Sequence, residues 1–164
     1  MTQAWKRGFA AAFAVALTLW SFSAVADEPA RTQPPPAAPS LFERLGGEPA
    51  IAAVVANFVS RGAADPAVNF TRQGTPHAWE ATPENVEKLK ALLTQFICKA
   101  TGGPQSYEGR DMKSAHAGMH ISNAEFDALA ADLKASLDAL NVPAKEQDEL
   151  LAIVGTTRAD IVET

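Results

Sequence analysis

Sulfur chemistry is almost missing from this chain: Cys98 is its single cysteine, so it has no disulfide partner within the chain. A small apolar residue on a helix is the reading that remains for it. Acidic residues are absent before Asp27, and no internal repeat is visible. No stretch alternates in the manner of a half-buried strand, and no flavin or nicotinamide fingerprint occurs. These absences argue against a disulfide-stapled fold, a repeat array and a β-architecture. Any redox chemistry must draw its electrons from outside the chain.

What stands before Asp27 is a positive start at Lys6 and Arg7, an apolar core of 13 residues over 8–20, and the triplet Ala24-Val25-Ala26. This is the pattern of a secretory signal peptide over 1–26, and its core falls short of the ~20 apolar residues that span a bilayer. Cleavage is expected after Ala26, giving an exported, periplasmic protein with no stable membrane insertion. Arg7 lacks a preceding arginine, which favours the general export route over a twin-arginine one. Without Lys6 and Arg7, the 14 basic residues become 12 against 19 acidic ones, an excess of seven negative charges. Nucleic acid is not the expected partner of such a surface. Residues 27–40 contain Pro29, Pro34, Pro35, Pro36 and Pro39 and read as an extended, disordered linker. Residues 41–164 have the length of one domain.

That domain reads as all-α. Leu41, Phe42 and Leu45 lead to a corner at Gly46-Gly47, after which Pro49 restarts a helix with Ile51, Val54, Val55, Phe58 and Val59 at three-and-four spacing. Residues 65–79, with Pro66, Gly74 and Pro76, are expected to be irregular. Thr82-Pro83-Glu84 is a helix start, and Val86, Leu89, Leu92, Leu93, Phe96 and Ile97 recur at helical period until Gly102-Gly103. Ser122-Asn123-Ala124-Glu125 is a capping box that introduces Phe126, Leu129, Leu133, Leu137 and Leu140 on one stripe. Asn141-Val142-Pro143 turns the chain into a last helix carrying Leu150, Leu151, Val154 and Ile161 almost to the terminus.

His116 carries the chemistry. It follows Gly102-Gly103-Pro104 and Tyr107-Glu108-Gly109-Arg110-Asp111-Met112, and it precedes Ala117-Gly118-Met119-His120. A lone histidine in an apolar helical protein is more often a core or surface residue than a ligand. The order and spacing of Leu-Phe-Glu-Arg-Leu-Gly-Gly, Thr-Gly-Gly-Pro and the segment around His116 change that balance. Over residues 41–163 the chain resembles the group I truncated haemoglobins.

The resemblance implies a two-on-two helical sandwich around haem b, iron protoporphyrin IX, with His116 as the proximal iron ligand. A neutral imidazole is needed for this, with its second nitrogen donating to an acceptor expected in the turn before it. The long helix from Pro83 takes the distal side. Phe58, Phe70, Phe96 and Met112 are expected to line the haem, and Lys113 either pairs with a propionate or stands in solvent. No C-x-x-C-H occurs, so covalent attachment of the c type is excluded.

Many group I members carry a tyrosine and a glutamine where this chain has Val59 and Leu93, and Leu89 and Leu92 add further hydrocarbon. A donor aimed at a polar gas is typically worth ~1–3 kcal/mol in such a pocket, so its loss should weaken O₂ binding by ~10- to 100-fold and CO binding by less. His77 or Trp79 could swing in from the irregular segment, and His77 could serve as a sixth ligand. His120 shares a helical spacing with His116, as zinc sites do, but Gly118 intervenes and no third ligand is evident.

The resulting expectation is a globin that reversibly binds a diatomic gas, with nitric oxide consumption conditional on an external electron donor. A haem-based electron-transfer or haem-handling protein is the alternative, and a haem-free helical module is the third reading.

Overall fold

The computed structural model describes residues 38–164. The expected signal peptide and nearly all of the linker lie outside the described residues. Among those described, seven helices follow one another: α1 (Leu41–Arg44), α2 (Gly47–Ala64), α3 (Pro83–Ala100), α4 (Met112–His116), α5 (Asn123–Ala139), α6 (Ala144–Gly155) and α7 (Arg158–Ile161). No sheet forms among them; the only β-pairing there is an isolated parallel bridge between Ile121 and Val162.

Local chemistry explains the starts. Ser40 opens α1 with a reciprocal capping box: its hydroxyl accepts from the Glu43 N–H at 3.2 Å, and the Glu43 carboxylate accepts from the Ser40 N–H at 2.8 Å. Gly46 makes the corner to α2 at φ +93°, where a side chain would also press on Ala50. Helix α2 begins at Gly47, two residues before the proline expected to restart it. Pro49 is tolerated there because the N–H groups of a first turn have no intrahelical acceptor. Thr82 caps α3 through the Asn85 N–H at 3.2 Å, with Pro83 as its first residue. The helix closes where the Gly102 and Gly103 N–H groups return to the Lys99 and Cys98 carbonyls at 3.2 and 2.7 Å.

Residues 65–79 contain turns and no helix, as their punctuation implies. Their polar side chains capture the backbone locally: Asp65 accepts from the Ala67 N–H and Thr75 from that of His77.

Helix α2 packs against α3 on one side and α5 on another, and α5 packs against α6. Two helices thus lie over two. Ile51, Val55, Leu133, Leu137 and Leu150 are 0–2% exposed at the centre, together with Cys98. Burial pushes the Cys98 thiol up, which keeps it protonated and inert. On the outside, Arg44 ties α1 to α6 through Glu146 at 2.6 Å and through Glu149.

Two expectations need correction. Leu140 does not share the buried stripe of α5; it is 41% exposed, because the helix ends at Ala139 and Asn141 turns at φ +55°. Nor does one helix run to the terminus. The Thr156 and Thr157 hydroxyls each donate at 2.7 Å to the Ile153 and Val154 carbonyls, and the helix breaks into α6 and α7 there. The break lets α7 pack against α4.

Candidate functional site

Helix α4 is a single short turn and is built from its cap. The Asp111 carboxylate accepts from the Ser114 N–H at 2.9 Å, and that bond holds the carboxyl well below the usual carboxylate range. Ahead of it, the Tyr107 hydroxyl donates to the Arg110 carbonyl at 2.8 Å, while its ring meets Phe96 of α3 edge-on at 5.7 Å. Burial pushes the Tyr107 phenol up, so it stays a neutral donor.

His116 ends α4 half-buried, with Nδ1 2.7 Å from the Met112 carbonyl one turn earlier. A carbonyl can only accept, so the proton sits on Nδ1. In the neutral ring Nε2 then keeps its lone pair, which is the arrangement a metal-ligating imidazole needs. The acceptor lies in the preceding turn, where the sequence placed it.

Along α3 and α4 the apolar residues are incompletely covered, and Leu93 and Phe96 pack in part against the main core. Leu89, Leu93, Phe96 and Met112 are half-buried, and Leu92 is 39% exposed. Phe58 and Val59 are buried on α2. Phe70 is half-buried, and its ring lies 5.6 Å from that of Trp79. Lys113 is exposed. Two small apolar hollows lie in the main core, one lined by Leu45 and Leu150 and the other by Phe58 and Phe126, and His116 lines neither.

The other candidates already have partners or stand at the corner behind α4. The Trp79 indole N–H already donates to the Phe70 carbonyl at 3.0 Å. His77 is exposed and lies over Gly118, so close that a Cβ on Gly118 would come within 2.7 Å of its Nε2. His120 has left the helical register at φ +51° and faces Glu163, Nδ1 to carboxylate 3.6 Å. No cluster of three or more metal-ligating side chains occurs among the described residues.

Sequence reasoning passed over Arg72, Asp111 and Glu163. Arg72 is 7% exposed and pairs with Glu125 at 2.6 Å while donating to the carbonyls of Met119 and His120. Glu163 accepts from the N–H groups of Gly118 and His120, which holds its carboxyl below the usual range. The Asp111-x-x-Ser114 spacing was a readable cap. Nothing local marked the other two, whose partners are distant in sequence.

Residues 40–163 match the bacterial-like globin family. A group 1 truncated haemoglobin from Tetrahymena thermophila is 34% identical over 122 residues, 74% of this chain and 93% of that protein. Another, from Mycolicibacterium paratuberculosis, is 32% identical and covers 74% of this chain and 83% of its own length. Among solved structures, the Fe(III) form of truncated haemoglobin from Tetrahymena pyriformis aligns with a TM-score of 0.66 at 30% identity, over 77% of this chain and all of that one. The 2/2 haemoglobin of Synechococcus, in the cyanomet state with covalently attached haem, gives 0.64 at 32% identity over 76% and 98%. This two-over-two helical chain belongs to the bacterial-like globins, among the group 1 truncated haemoglobins.

Membership implies a haem cofactor and haem-based gas binding. The residues present fit such a group: the Met112 carbonyl occupies Nδ1 of the His116 ring and leaves Nε2 to a metal, and α3 and α4 carry half-buried apolar side chains. Helix α4 packs chiefly against α7 rather than against α3.

Proposed function

We propose that the chain binds haem b through His116 and, by it, reversibly binds a diatomic gas in a pocket whose far wall is hydrocarbon. The haem, when bound, supplies an iron with a position open to O₂, CO or NO. The observation that carries this reading is the bond between His116 Nδ1 and the Met112 carbonyl at 2.7 Å, which leaves Nε2 as a ready ligand.

In this reading Phe58, Phe70, Phe96 and Met112 pack on the porphyrin and exclude water, and Leu89 and Leu92 cover its outer edge. Val59 and Leu93 occupy the positions from which other members offer a donor, so the far wall favours an apolar guest. Lys113, exposed three residues before His116, supplies an ammonium for a propionate. His77 and His120 are both gathered at the Gly118 corner that follows α4, which favours a single protein ligand. Export to the periplasm after cleavage at Ala26 belongs to the same proposal, as does an external electron donor if the chain consumes nitric oxide.

The test is an absorption spectrum of the protein with haem supplied, in ferric, ferrous and CO-bound states. A five-coordinate ferrous form that takes up CO is expected, and it should be lost in His116→Ala. An alanine variant that keeps the same tightly held chromophore as wild type overturns the assignment.

A further inference from the structure

Helix α4 is too short to hold its own direction, because a single turn fixes many dihedral angles for very few hydrogen bonds. The corner behind His116 is instead held by two groups of opposite charge from distant parts of the chain. Gly118 and His120 have φ of +76° and +51°, outside any helical ladder. Their N–H groups each donate at 2.8 Å to a different oxygen of the Glu163 carboxylate. The carbonyls of the same corner, at Met119 and His120, accept from the Arg72 guanidinium, which Glu125 anchors at 2.6 Å.

The two arms are themselves secured. Arg72 is buried in the irregular segment, where the Thr75 hydroxyl donates to its carbonyl at 2.8 Å. Glu163 sits in a tail docked by its own N–H on the Ile121 carbonyl at 2.9 Å and by the Asn123 N–H on the Thr164 carbonyl at 3.3 Å. Hydrogen bonds with an ionised partner are roughly twice as strong as neutral ones. The corner therefore has its donors fixed by an anion and its acceptors fixed by a cation.

We infer that Glu163 and Arg72 are positioning residues for His116, setting the direction of its Nε2 by clamping the backbone immediately behind it. This rests on the reading of His116 as the iron ligand. Two acceptor oxygens are required at position 163, since a glutamine would satisfy one N–H and set its own amide donors against the other.

The test uses the full chain loaded with haem, and reads the iron–imidazole stretching band of the ferrous form by resonance Raman spectroscopy. Glu163→Gln should shift and broaden the band and speed haem loss by about tenfold, the lower edge of what outer partners of metal ligands contribute. Glu163→Asp, which keeps both oxygens, should recover part of the shift. A folded Glu163→Gln protein with an unmoved band overturns the inference, and so does one that has lost only thermal stability. If the wild-type band survives His116→Ala, the ligand assignment itself is wrong and the positioning role goes with it. Amide exchange in the haem-free chain checks the clamp separately. Gly118 and His120 should exchange at least about tenfold more slowly in wild type than in Glu163→Gln; equal rates there also overturn it.

Discussion

Leu133 and Leu89 are both leucines on a helical stripe, yet they sit in different surroundings. Around Leu133, the side chains of α2, α5 and α6 close on one another until Val55, Leu137 and Leu150 are 0–1% exposed. On α3, Leu89 itself remains half-covered, and Leu92 is 39% exposed. The first region has all its packing partners within the chain. The second leaves apolar surface partly uncovered, which in the proposed reading haem would cover at ~25 cal/mol per Å². One core is closed by folding alone; in the proposed reading, haem completes the other.

Replacing Leu137 with alanine should break the self-sufficient core whether haem is present or not. The expected loss is about 2–5 kcal/mol in urea unfolding. Leu89→Ala, at a half-buried position outside the closed core, should cost the haem-free protein no more than about 1 kcal/mol and show its main effect in haem affinity. Equal losses at the two sites in the haem-free chain would erase the distinction between the regions.

Leu93→Gln sharpens the comparison from the cofactor side. Installing a donor on the hydrocarbon wall should raise O₂ affinity by about 10- to 100-fold and CO affinity by less, measured from dissociation rates. An unchanged ratio would mean that this residue does not face the gas.

The smallest effect belongs to the rim of the closed core, where Arg44 joins α1 to α6. A hydrogen bond from Arg44 holds the Glu149 carboxyl below its ordinary value. A lowered folded-state value gives stability that is complete above the unfolded value of about 4.3 and lost as the pH falls through the lower folded one. Glu149→Gln should flatten that acid limb of a melting-temperature profile and leave neutral pH nearly untouched, because exposed ion pairs contribute little.

The pattern of what could be read beforehand follows the range of each interaction. Thr82, Ser122 and the apolar stripes of α2 and α3 act within a few residues, so their helices were legible from spacing alone. The Nδ1 partner of His116 is one turn away and was legible for the same reason. The break between α6 and α7 was missed because Thr156 and Thr157 read as ordinary helical residues until their hydroxyls are seen returning to carbonyls. Arg72 and Glu163 were missed because their partners come from other parts of the chain, and neither residue type nor neighbours announce it. Leu89 was placed on the right helix, but periodicity cannot tell a position that closes on protein from one left half-covered.

Trp79 offers a practical consequence. Its ring rests against Phe70 and its indole N–H is tied to the Phe70 carbonyl. The other two tryptophans, Trp5 and Trp20, precede Ala26, so a chain beginning at Asp27 carries one indole fluorophore. A porphyrin seated in the same small domain would drain that emission by energy transfer, and cofactor uptake could be followed as the dimming of a native lamp, with no label attached.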